Sequence, residues 1–291
     1  MKKLLYLICF LLLLGLFHGC TAQTAPCQIA ATTLPVYEFT SMLCEGTDLK
    51  VCQIVTQSVS CLHDYTLQAS QMQQLESAET LVISGGGLED FLDDAISSAN
   101  TIIDASEGID LLCAEAHHDH SHGHSHEQDP HIWLSPVNAK KMATNICAQL
   151  SSLYPQHQEA FNQNLETLAA KLDTLQTYGE ECLSDLSSRS LITFHDGFAY
   201  FAEAFDLTIL KAVEEESGSE ASAKELIELI QLVCDNKIPA IFTEKNGATS
   251  SADTICRETG IKSYCLDMGM SEGSYFDAMY HNINTVKEAL G

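Results

Sequence analysis

The residues of this chain best suited to chemistry are its histidines, and they come in two kinds. Six of them, His117, His118, His120, His122, His124 and His126, crowd into ten residues of the stretch "AHHDHSHGHSHEQDPHIWLSP". Three others stand alone: His131 behind an Asp-Pro pair, His63 in "CLHDYTLQASQ", and His195 directly after the apolar run "SLITF". One carboxylate, Asp267, follows "KSYCL" in the same manner. Taken singly, a strand-end histidine is read as a hydrogen-bonded or solvent-facing residue. Taken together, three imidazoles and a carboxylate at loop positions facing one crevice compose a metal site. That donor set suits Zn2+, which takes nitrogen and oxygen ligands in tetrahedral geometry. The crowded tract is different. Interspersed with Gly123, serines and Asp119, it has no apolar face to bury, so it reads as a flexible polyvalent chelator, or else as a solvated spacer that binds metal incidentally.

Placing those residues requires a scaffold, and the rest of the chain supplies one. Strands are expected at "QIAAT", "LKVCQIV", "TLVIS" and "TIIDA" in the first half, and at "SLITF", "LTILKAV", "PAIFTE" and "KSYCLD" in the second. Helical segments intervene: "LQASQMQQLESAE", where Leu67, Met72 and Leu75 share a face, one beginning near Pro136, then "GFAYFAEAF", "SAKELIELIQLVCDNK", "SADTICRETG" and "YFDAMYHNINTVKEAL". Alternation of this kind predicts α/β architecture, with two lobes that each carry a four-stranded parallel sheet flanked by helices. The triple glycine in "SGGGLEDF" lacks phosphate-loop spacing and is read as a tight strand-to-helix turn. Between the halves, Phe161, Leu165, Leu168, Leu172 and Leu175 recur at spacings of 4, 3, 4 and 3. One helix over 155–186, roughly 45 Å at 1.5 Å per residue, is expected to join the lobes rigidly. The expected lobes are 20–154, containing the histidine-rich loop at 116–130, and 187–291. In open α/β sheets ligands bind beyond the carboxyl ends of strands, where these candidate ligands lie.

The N-terminus is read as an export signal over residues 1–19: Lys2 and Lys3, then an apolar run from Leu4 to Phe17 too short to span a bilayer comfortably. Cys20 follows Gly19 as a lipidation site would, giving two acyl chains and stable anchoring outside a bacterial membrane. Without residues 1–19 the chain carries 12 basic and 40 acidic side chains, a formal charge of −28. Such a surface repels nucleic acid and attracts cations. Ten cysteines remain after Cys20, enough for up to five disulfides in an oxidising compartment, with the pairing left open; the absence of C-x-x-C argues against a zinc ribbon or a redox motif.

The elements "LHDYTLQASQMQQLESAETLVISGGGLEDFLDD", "DPHIWLSP", "FHDGFAYFAEAFDL", "SAKELIELIQLVCDNKIPAIFTE" and "SYCLDMGMSEGSYFDAMYHNINTVKEAL" together resemble the zinc and manganese solute-binding proteins of ABC importers, across essentially the whole mature chain. The resemblance implies a metal held between two lobes by His63, His131 and His195, with Asp267 at the position of the family's C-terminal acid. Manganese-type members carry glutamate where His195 stands, so the chain is similar to the zinc branch. It departs from the family's usual residues around His63, which lacks the common preceding proline, and at "LDMGM". The resemblance further implies a monomer that delivers Zn2+ to a membrane permease and its cytoplasmic ATPase, with the histidine-rich loop assisting capture or sensing. A manganese or iron carrier, or a surface zinc buffer or adhesin without transport, shares the same residues. A zinc hydrolase is disfavoured by the lack of H-E-x-x-H and of a general base beside the ligands.

Overall fold

A computed structural model describes residues 27–57, 62, 65–89, 92, 101–113, 128–214, 221–270 and 272–291. Cys20, His63, the tract from His117 to His126, and most of the segment after the triple glycine lie outside the described residues.

Among the described residues, eight strands form two parallel sheets. β1 (Ile29–Ala31), β2 (Val51–Gln53), β3 (Thr80–Ile83) and β4 (Ile102–Asp104) lie in the order β2-β1-β3-β4. β5 (Ser190–His195), β6 (Thr208–Glu214), β7 (Ala240–Glu244) and β8 (Lys262–Leu266) lie in the order β6-β5-β7-β8. All eight fall within the expected runs, except that β5 continues one residue to include His195 and β6 one residue to Glu214. Each sheet reverses direction of travel between its first and third strands, β1/β3 and β5/β7. At such a switch point the crossovers diverge and leave a crevice.

The described helices are α1 (Leu34–Leu43), α2 (Ala69–Ser77), α3 (Pro136–Leu153), α4 (Gln158–Cys182), α5 (Ala199–Ala204), α6 (Ala223–Asn236), α7 (Ser250–Thr259) and α8 (Tyr275–Leu290). None of them is long and apolar enough to cross a membrane. α1 corresponds to no expected segment. Its Leu34, Val36, Phe39, Thr40 and Leu43 are all buried, so its sequence shows little contrast between an inner and an outer face. The expected helix over 155–186 is shorter. Pro155–His157 form a 3-10 turn, and α4 begins at Gln158 and runs 25 residues to Cys182. Pro155 cannot donate the N–H that would continue the helix backwards, so the chain turns there. The leucine stripe holds: Phe161, Leu168, Leu172 and Leu175 are buried, with Leu165 packed beside them.

Side-chain alternation along the strands divides the core. Leu191, Ala240 and Phe242 face inward and join Ile29, Ala31 and Val82 of the other sheet, α4 and α8 in one continuous cluster. Ile192, Phe194 and Ile241 face outward beneath α6 and α7, packing on Leu229, Val233, Ala252 and Ile255. Ala30 and Leu81 do the same on the first sheet, against Leu67 and Leu75 of the segment around α2. The lobes therefore share one core rather than touching through a polar seam.

Of the ten cysteines considered for disulfides, Cys27 and Cys52 pair, tying β1's entry to β2. Cys44, Cys113, Cys147, Cys182, Cys234, Cys256 and Cys265 are free thiols and Cys61 lies outside the described residues, so one bridge of the five that the count allows is formed among the described residues. Burial raises the Cys44 thiol to about 12, which keeps it an apolar packing group.

Candidate metal centre

β5 and β7 are hydrogen-bonded neighbours with Thr193 opposite Phe242. Two residues further along each strand, the same register brings His195 beside Glu244, both pointing to the inner face. His195 Nδ1 lies 3.5 Å from Glu244 Oε2, and both side chains are almost wholly buried. This pair stands at the β5/β7 switch point. Gly197 lines its rim: a Cβ there would come 2.7 Å from His195 Cδ2 and 2.8 Å from Met268 Cε, so only glycine lets the chain pass so close to the imidazole.

His131 approaches from the other lobe. The Asp-Pro-His sequence forms a compact turn in which Asp129 Oδ1 accepts both the His131 backbone N–H, at 2.9 Å, and a contact from His131 Nδ1, at 2.8 Å. Aspartate side chains favour this reach to the N–H two residues on. With Nδ1 donating to the carboxylate, Nε2 is left as the nitrogen with a free lone pair, the arrangement that orients metal-binding imidazoles. Ile132–Leu134 then form a 3-10 turn, and the Ser135 side chain caps α3.

The His131 and His195 rings are 5.3 Å apart between centroids and nearly perpendicular, and each residue is 3% exposed. Two imidazoles at zinc–nitrogen distances of about 2.0–2.1 Å and a tetrahedral angle would have centroids roughly 5 Å apart. The pair thus has the spacing to share one ion. Burying two imidazoles edge to face, each against a carboxylate, provides nitrogen donors in a dry setting.

Asp267 is placed differently. Its Oδ2 receives Lys245 Nζ at 2.9 Å, its Oδ1 accepts the Gly269 N–H, and its backbone is held on both sides by Asn282. Both carboxylate oxygens are engaged with protein donors, although Asp267, Glu244 and Met268 line one small cavity together. The Asp267 hydrogen bond raises the Lys245 pKa, holding that ammonium charged. Of the four expected ligands, then, the structure brings His131 and His195 together, gives Asp267 to Lys245, and leaves His63 outside the described residues. Among the described residues alone, no group of three or more metal-ligating side chains is gathered.

The lobes are pinned around this centre. Trp133, whose ring lies 5.4 Å from that of His131, donates its indole N–H to Met268 O, and Tyr275 donates its hydroxyl to Trp133 O. The Leu34 N–H reaches Met270 O, and Glu38 accepts from Ser274 and the Tyr275 N–H. On the first sheet, the β1/β3 switch point is occupied by Glu89, which accepts from Thr32 Oγ1 and from the N–H groups of Ser84 and Gly85. Burial outweighs those three donors and pushes its carboxyl up to about 7.

Sequence reasoning missed Asp129, Glu244, Lys245 and Trp133. Two were within its reach: Asp129 lies two residues before a candidate ligand, and Glu244 ends a strand as His195 does. Lys245 and Trp133 act across 22 and 135 residues of separation, which no local pattern reveals.

The zinc-binding lipoprotein AdcA of Streptococcus pneumoniae strain R6 is 31% identical over 279 residues, 92% of this chain. This chain spans about half the length of that relative, 55%. A crystal structure of ZnuA superposes with a TM-score of 0.80 at 28% identity, covering 91% of this chain and all of that one. The Zn(II)-bound ZnuA-like domain of S. pneumoniae AdcA superposes with a TM-score of 0.77 at 28% identity, covering 91% and 99%. The family model described as zinc-uptake complex component A, periplasmic, matches residues 29–289, and the chain belongs to that family.

Proposed function

We propose that this protein captures Zn2+ outside the cytoplasm and delivers it to the membrane permease of an ABC importer. The observation that carries this reading is the buried, mutually perpendicular pair His131 and His195, each backed by a carboxylate, at the crevice between two lobes. His63 is the proposed third nitrogen ligand. Asp267 is at most a weak fourth, since its oxygens are engaged by Lys245 and Gly269. Three imidazole nitrogens favour Zn2+ over the harder Mn2+. Asp129 holds His131 with Nε2 free for metal, and Glu244 faces His195 Nδ1 in the same sense. Because Trp133, Leu34 and Glu38 pin the lobes, His131 and His195 are held in place before the ion arrives, and release would require the permease to strain those contacts. Zinc binding competes with protons at the imidazoles, so affinity falls in acid.

The proposed organisation is an export signal at 1–19, a lipid on Cys20, lobes at 20–154 and 187–291, and a linking segment between them. The tract His117, His118, His120, His122, His124 and His126 is proposed as an auxiliary chelator that raises the local zinc concentration.

The test is metal content and competitive zinc binding of the mature chain, of a deletion of residues 117–126, and of His195→Ala. One tight zinc retained by the deletion and lost by His195→Ala supports the reading. Zinc that disappears with the tract while His195→Ala binds normally would make the protein a surface zinc buffer instead.

A further inference from the structure

Tyr200 is buried, 1% exposed, in α5, five residues beyond His195. Its hydroxyl accepts the Leu112 N–H at 2.8 Å and donates to Asp129 O at 2.8 Å. Those partners lie 88 and 71 residues away in sequence, on the two chain segments that meet at the root of the histidine-rich tract. The segments also join directly: the Asp129 N–H donates to Leu112 O, and Cys113 pairs with Gln128 in an antiparallel bridge. Asp129 is the residue whose carboxylate holds both the backbone and Nδ1 of His131. One phenol thus connects the turn after His195 to the residue that orients His131. Burial pushes its pKa up to about 12, so it remains a neutral hydroxyl that both donates and accepts.

We infer that Tyr200 is a positioning residue for metal binding, fixing the separation of His131 and His195 by clamping Asp129 to α5. This rests on the proposed ligation by those two histidines. Its ring fills the core, but its hydroxyl is tied to no other described group than the two main-chain atoms at the root. Without it, Asp129 would keep its bond to Leu112 while losing its tie to the second lobe. His131, still tied through Trp133 to Met268 on its other side, would then be held to the second lobe on one side only, and its ring could shift relative to His195. Groups that orient metal ligands from behind typically change affinity by roughly 10–100-fold when removed.

Trp133 is the single tryptophan of the chain and lies beside His131, so its emission reports the cleft irrespective of ions held on the histidine-rich tract. The experiment titrates Zn2+ into the mature protein against a competing chelator, following Trp133 emission, and measures the zinc release rate by stopped flow. The variants are Tyr200→Phe, His195→Ala and Asn164→Ala. Asn164 also makes two main-chain bonds, to Leu43 O and Glu45 O, away from the cleft, so its loss controls for stability alone. All are compared at a temperature where circular dichroism shows them folded. The expected result is a Kd raised roughly 10–100-fold in Tyr200→Phe with faster release, and an unchanged Kd in Asn164→Ala. Tyr200→Phe matching the wild type while His195→Ala abolishes the Trp133 response overturns the role of Tyr200 and leaves the ligand assignment standing. A normal response in His195→Ala overturns both.

Discussion

Gly197 offers the sharpest test of how tightly the candidate site is built. An alanine there would place its methyl 2.7 Å from His195 Cδ2, 3.0 Å from His195 Nε2 and 2.8 Å from Met268 Cε. Carbon atoms in contact settle near 3.5 Å, so at the His195 ring something must give by about 0.8 Å. The Met268 terminal methyl can rotate away at little cost. The imidazole has less freedom, because it ends a central strand, is 3% exposed, and faces Glu244 on one side and the His131 ring on another. Functional groups must be held to within about 0.5 Å to perform, so the forced shift exceeds the tolerance. Gly197→Ala is expected to raise the zinc Kd roughly 10–100-fold, about 1.4–2.7 kcal/mol. Chelator competition at neutral pH measures it. Gly46→Ala is the control: its glycine has φ +78° with nothing near its absent Cβ, so the substitution strains backbone without touching the site. If Gly197→Ala binds zinc as the wild type does while His195→Ala does not, the ring has slack that the packing argument denies.

The other predictions concern the carboxylates. Asp267→Asn is expected to lower zinc affinity by less than about tenfold, because its oxygens already serve Lys245 and Gly269. Lys245→Met releases Asp267 and should raise Mn2+ affinity by a similar factor, since a partly exposed pair such as this is worth about 1 kcal/mol; a zinc loss near that of His195→Ala in Asp267→Asn would make Asp267 a full ligand. Glu89 supplies a pH dependence of the metal-free protein. Its folded pKa, about 7, is above its ordinary value of 4.5. The folded state therefore binds the proton better, and the stabilisation present below pH 4.5 is lost as pH rises through 7, up to about 3 kcal/mol. Denaturant unfolding at pH 5 and pH 8 should show that loss, and Glu89→Gln should flatten it; an unchanged slope in the variant assigns the pH dependence to other groups.

Much of this protein is determined locally. Strands β1 to β8 follow from runs of β-branched and apolar residues, and the α4 stripe from its 4-3 spacing, because hydrophobic period reflects which face is buried. His131 and His195 could be singled out because a polar residue ending an apolar strand, or following Asp-Pro before a helix, occupies a ligand-binding place in this architecture. Helix α1 escaped because burial on nearly every side erases the contrast that periodicity needs. The rest was decided by tertiary structure. The β5/β7 register, not any motif, put Glu244 beside His195. Chain crossings of 71 and 88 residues brought Asp129 and Leu112 onto one tyrosine hydroxyl, and Cys27 found Cys52 through the pairing of β1 with β2. Asp267 has the right residue type at the right strand end, yet Lys245, one residue past β7, engages it. Residue type and local pattern determine what a side chain can do; which partner reaches it first depends on how distant segments pack, and that is settled only when the sheets and the shared core assemble.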